Sequence, residues 1–140
     1  MAMVEVAFTP LPAHVRTARL VAVAVARRSG VAEPLLDEVR LAVGEACSRA
    51  VEAHRQHCPA EPVKIELTDA GGRFEVVVTD SAPADEPAPA PAGGPPAAAN
   101  GNGGLHDGIG LAVIAELADD VKISRSPAGI SVCMSWPASA

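Results

Sequence analysis

Glu45 and Arg49 stand four residues apart in the stretch Leu35 to His57, which reads LLDEVRLAVGEACSRAVEAHRQH. On a helix that spacing makes them neighbours. Val39, Ala42, Val43, Ala46 and Ala50 recur at helical spacing beside them and predict an apolar stripe turned to a core. A charged group held beside such a stripe can be aimed at a site. The same two residues also fit an ordinary surface ion pair.

A second chemical signal lies at Gly108-Ile109-Gly110-Leu111. Glycines at a helix N-terminus let backbone N–H groups approach a phosphate closely, aided by the helix dipole. A lone G-x-G carries little information by itself. His54, His57 and Cys58 suggest a metal, but no second pair completes a tetrahedral site, and no metal is expected. Arg16, Arg19, Val23 and Arg27 form a basic stripe at helical spacing on an otherwise apolar helix.

The elements that position these groups follow from periodicity. Val4 to Thr9 alternates and predicts a short strand, ended by Pro10 and Pro12. Val15 to Arg28 predicts a helix, with Gly30 as its stop and Arg27 and Arg28 in its last turn. It is apolar on more than one side, so a partner subunit is expected to cover the second. Pro34 starts the central helix, with Asp37 and Glu38 in its early turns. Val63, Ile65 and Leu67 alternate inward, Ala70-Gly71-Gly72 turns the chain, and Phe74, Val76 and Val78 form the inward set of a strand ending at Asp80. Leu111 to Leu117 predicts a helix. Val121 to Ser124 and Ile130 to Met134 form a last hairpin turned by Pro127-Ala128-Gly129. This order predicts an α+β, two-layer sandwich: a mixed, mostly antiparallel sheet with three helices on one face.

Ser81 to Gly104 stands apart. It holds six of the 13 prolines and five of the 12 glycines, so it is expected to be a mobile lid or linker inside a single domain spanning residues 1–140. Composition narrows the class further. The chain is 49% hydrophobic but 2% aromatic, so its core must be built from Val, Ala, Leu and Ile. A net charge of −6 argues against direct nucleic-acid binding. No apolar run is long enough to span a membrane, and the start carries no signal-peptide pattern. Three cysteines without paired spacing suit a reducing cytoplasm.

In the order of these pieces the chain resembles the anti-sigma factors of the histidine-kinase-like ATPase superfamily, the switch-protein serine kinases of bacterial stress and sporulation control. The matching pieces are Glu45-Ala46-Cys47-Ser48-Arg49, Asp80-Ser81-Ala82-Pro83-Ala84, the Pro/Gly loop and Gly108-Ile109-Gly110. The resemblance implies a general-base role for Glu45. It implies an adenine contact for Asp80, and nucleotide binding around Arg49, Gly108, Gly110 and Leu111. Arg16 and Arg19 become partner-binding residues. The implied partners are an RNA polymerase sigma factor and a STAS-domain anti-anti-sigma protein, in a homodimer or heterocomplex; the implied cofactors are ATP and Mg²⁺.

The sequence departs from that pattern where the ATP chemistry lies. The metal-holding Asn is replaced by Arg49, which has no acceptor atom. The two glycines after the aspartate are Ala82 and Ala84, and Ala is costly where φ must be positive. No Lys or Arg lies between Ser81 and Gly104. Arg49 is expected to pair with Glu45; direct phosphate binding is the other arrangement open to it. The expected function is therefore sigma-factor sequestration relieved by partner switching, with weak or absent nucleotide binding and kinase activity. The alternative is an active ATP-dependent serine/threonine kinase acting on the anti-anti-sigma factor.

Overall fold

The computed structural model describes residues 2–82 and 102–139, with side chains described at 3–82 and 110–139. The proposed lid, including Ala84, falls mostly on residues 83–101 and lies outside the described residues. The chain runs β1 (Ala2–Phe8), α1 (Pro12–Ser29), α2 (Glu33–His57), β2 (Val63–Ala70), β3 (Arg73–Thr79), α3 (Asn102–Leu117), β4 (Asp120–Ser126) and β5 (Gly129–Pro137).

Local chemistry sets most of these boundaries. Pro12 lies in the first turn of α1, where its missing N–H costs nothing. Gly30 closes that helix at φ 94°, and the Val31 N–H returns to the Ala26 carbonyl. Pro34 opens α2 in the same way. The β2–β3 hairpin turns through Gly71 at φ 62° and Gly72 at φ 76°, two positive values that match the right-handed twist of the flanking strands.

The five strands form one sheet in the order β1-β2-β3-β5-β4, and all four pairings are antiparallel. The helices pack on one face. The inward residues of three adjacent strands are buried as their alternation predicts: Val63, Ile65, Leu67; Phe74, Val76, Val78; and Ile130, Val132, Met134, Trp136. Against them lies the α2 stripe of Val39, Ala42, Val43, Ala46 and Ala50, each with no exposed surface. Trp136 faces Phe74 across the β3–β5 register with ring centroids 6.2 Å apart, and its indole N–H donates to the Leu117 carbonyl at the end of α3. These two aromatics fill the space that small aliphatic side chains leave.

One helix boundary differs in a way that matters for the site. α3 begins at Asn102, not Leu111, so Gly108 and Gly110 lie in a helix interior and not at its N-terminus. Glycine lowers helix propensity by about 1 kcal/mol per residue without forbidding a helix. Among the described residues no helix is long and apolar enough to cross a membrane.

Candidate functional site

The site is built where α2 meets the end of β3. Arg49 falls on the buried side of α2, with 2% of its side chain exposed. Its Nη2 donates to Oδ2 of Asp80 at 2.5 Å, and Asp80 is 1% exposed. The expected Arg49–Glu45 pair does not form; the partner is Asp80, across the helix–sheet interface. The physical reason is burial. A guanidinium on the core side of a helix needs a buried carboxylate, and the neighbouring Glu45 is half-exposed. Arg49 Nε is buried with no hydrogen-bond partner among the described residues.

Asp80 accepts from two backbone donors as well. Its Oδ1 accepts the Ala82 N–H at 3.0 Å and the Ile130 N–H at 3.3 Å, and its own N–H donates to the Ile130 carbonyl. The first of these is an Asx-type turn, and no non-glycine residue among those described has positive φ, so Ala82 sits in ordinary backbone. Gly129 is required here: at φ 142°, a β-carbon on it would run into the Asp80 carbonyl.

His54 supplies a second grip from α2. Its Nδ1 lies 2.8 Å from the Glu61 carbonyl, and its Nε2 accepts the Ser81 N–H at 2.8 Å. Those contacts assign the proton to Nδ1 and occupy the Nε2 lone pair that a metal would need. Arg49 and His54 thus hold Asp80 and Ser81, two consecutive residues at the β3 exit.

Glu45 and Gly110 are brought together. Glu45 Oε2 lies 2.8 Å from the place of a β-carbon on Gly110, so this glycine is what lets α3 approach the carboxylate. Leu111 is half-buried against the core. On the other flank of α2, the stem of Arg19 lies across Gly44, with Cδ 2.6 Å from the place of a β-carbon there. Arg16 is exposed, and neither Arg16 nor Arg19 joins an ion pair among the described residues. Cys47 lies below them; burial pushes its thiol up to about 12, against the lowering effect of Arg19.

These residues do not fit adenine recognition as the resemblance implies it. Both oxygens of Asp80 already accept protein N–H groups out of contact with solvent. They do not fit a Mg²⁺ site at Arg49 either, since that side chain offers donors only. Sequence reasoning overlooked His54 as a strut, and Gly44 and Gly129 as clearances. The signal for His54 was its place four residues after Ala50, on the apolar stripe.

Comparison with known proteins decides the family. The model of the histidine kinase-like ATPase domain matches residues 8–136. The chain belongs to that family. Family membership implies ATP binding in general. The fold agrees with a crystal structure of the RsbU and RsbW domains of Rv1364c from Mycobacterium tuberculosis, at a TM-score of 0.70 and 16% identity. That match covers 100% of this domain and 33% of the other chain, so the histidine kinase-like domain spans about a third of that neighbour's length. No curated protein matches the chain.

Proposed function

We propose that this domain is a partner-switching anti-sigma factor. It binds an RNA polymerase sigma factor, is released from it by a STAS-domain anti-anti-sigma protein, and has weak or absent ATP-dependent kinase activity. The reading is supported by membership of the histidine kinase-like ATPase family and by a fold shared with a structure that contains an RsbW domain. The observation that carries it is the contrast between two sets of arginines. Arg49 is consumed inside the fold, whereas Arg16 and Arg19 stand on α1 with no ion-pair partner among the described residues. Arginine pairs well with carboxylates across an interface, and Gly44 gives Arg19 a flat seat from which to present its guanidinium. The complexes proposed are a homodimer or a heterocomplex in the cytoplasm.

Co-purification with candidate sigma factors, repeated in the presence of STAS-domain proteins, tests the reading. Mutually exclusive binding is expected, and Arg19→Glu is expected to weaken at least one complex by about 2–5 kcal/mol if the arginine is buried in it. Unchanged affinity for every partner refutes it.

The kinase alternative keeps one supporting observation. Glu45 is half-exposed and makes no hydrogen bond or ion pair among the described residues, which leaves it free to accept a proton. Phosphorylation of a STAS partner with radiolabelled ATP and Mg²⁺ separates the two readings.

A further inference from the structure

The pair Arg49–Asp80 goes beyond loss of a metal ligand. We propose that Arg49 is a built-in occupant of the base-recognition position: its guanidinium takes the Asp80 carboxylate that a nucleotide base would otherwise address, so the site is held together without nucleotide.

Three features support this. The first is occupancy. Asp80 accepts from Arg49, Ala82 and Ile130, with one oxygen given to the guanidinium and the other to two backbone N–H groups. The acceptor position left on Oδ2 is buried with the ion pair, so an incoming N–H donor has to move Arg49 aside to reach it. Displacing the Ile130 donor opens the β3–β5 junction, which Gly129 holds at close contact, and displacing the Ala82 donor undoes the turn that follows β3. Displacing Arg49 leaves a guanidinium buried without its carboxylate, a costly state.

The second is direction. An arginine serving phosphate would lie toward solvent, where a charged ligand arrives. Arg49 lies inward, 2% exposed, and its Nε has no acceptor among the described residues. Its donors are committed to the carboxylate at the expense of its own complete satisfaction.

The third is anchorage. The chain segment that Asp80 begins is held from the same helix by His54, whose Nε2 accepts the Ser81 N–H. Two side chains of α2 therefore fix the β3 exit, a task that in a nucleotide-dependent site falls partly to the ligand. The ligand chemistry proposed for this position is a planar N–H-donating cation, supplied by the protein itself.

The consequence rests on the partner-switching reading: partner exchange on this domain proceeds without regard to nucleotide. The test does not need a partner. Isothermal titration of the unmodified chain with Mg-ATP, and separately with adenosine, is expected to give no saturable binding in the millimolar range. Arg49→Ala is expected to melt at lower temperature and to regain part of the loss with methylguanidinium, which leaves the unmodified protein's melting temperature unchanged. A second readout serves if Arg49→Ala does not fold. The Arg49 side-chain N–H signals in the NMR spectrum of the unmodified protein are expected to be unmoved by Mg-ATP. Saturable Mg-ATP binding that shifts those signals overturns the proposal, as does a folded Arg49→Ala that methylguanidinium does not stabilise. Either result leaves sigma-factor co-purification untouched, and failure of co-purification leaves these measurements untouched.

Discussion

The Glu45 carboxylate rests against the backbone of Gly110, with Oε2 2.8 Å from the place a β-carbon would occupy. Two helices far apart in sequence therefore meet through a charged side chain and a missing one. The carboxylate tip is flexible, so the contact is one that a substitution can push aside.

That contact makes a double-mutant cycle informative. Gly110→Ala gains about 0.5–1 kcal/mol from helix propensity but displaces Glu45. Its net effect on stability is expected to be small. In a Glu45→Ala background the displacement disappears, and Gly110→Ala should stabilise the fold by about 1 kcal/mol in urea denaturation. No gain in that background would mean that Glu45 is not what keeps residue 110 small.

Gly44 is expected to act through Arg19. A β-carbon there would stand 2.6 Å from Arg19 Cδ and 3.2 Å from Nη1, so Gly44→Ala must lift the guanidinium off α2. The helix itself should tolerate the change, with alanine the better helix former by about 1 kcal/mol. Partner affinity should fall in Gly44→Ala in the same direction as in Arg19→Glu, with circular dichroism unchanged. Equal binding by Gly44→Ala and the unmodified protein would show that the seat does not matter.

His54 is expected to be structural. His54→Ala leaves the Ser81 N–H and the Glu61 carbonyl without their partner, at about 1–3 kcal/mol for each group left unpaired. Urea denaturation measures the loss. A midpoint unmoved by His54→Ala would show that water replaces the imidazole.

Much of this fold was legible in the sequence, and the reasons are local. Alternation in Val63 to Leu67 and Phe74 to Val78, and 3.6-residue spacing in Val39 to Ala50, each follow from one face of one element being dry. The partner of Arg49 was not legible from the same rules. The helix rule offers Glu45 four residues away, whereas Asp80 reaches Arg49 only through the packing of β3 under α2. A signal was present: Arg49 lies three residues after Ala46 and seven after Ala42, on the apolar stripe, where a charge is rarely found without a buried partner. The sequence sets the start of α3 too late because Gly108 and Gly110 suit a turn at a helix N-terminus, in a segment where helix–helix packing decides. Leu111 and Ile114 of that helix pack into the core beside α2.

Alkaline pH should destabilise the protein through Cys47. Its thiol, ordinarily near 9.0, is raised by burial to about 12, so the unfolded chain loses that proton at a pH where the folded chain still holds it. Stability is then complete below about pH 9 and falls as pH rises toward 12, by up to about 1.4 kcal/mol per pH unit for a fully buried group. Cys47→Ala should flatten the slope of unfolding free energy against pH in that window. The half-buried Cys133, raised to about 11 chiefly by desolvation, adds a smaller part between about pH 9 and 11. An unchanged slope in Cys47→Ala would exclude Cys47 as its source.

The place of β1 in the sheet has a consequence for how the chain reaches this structure. Its register, from Phe8 opposite Val63 to Ala2 opposite Asp69, encloses both α1 and α2 within one loop. The β2–β3 and β4–β5 hairpins, by contrast, join strands separated by a few residues. Closing a long loop costs entropy before any contact rewards it, so local hairpins form readily and a distant edge strand late. The residues of β1, made well before those of β2, are thus among the last to find their place. Until then the β2 edge, carrying Ile65 and Leu67, stays open to whatever strand is nearest.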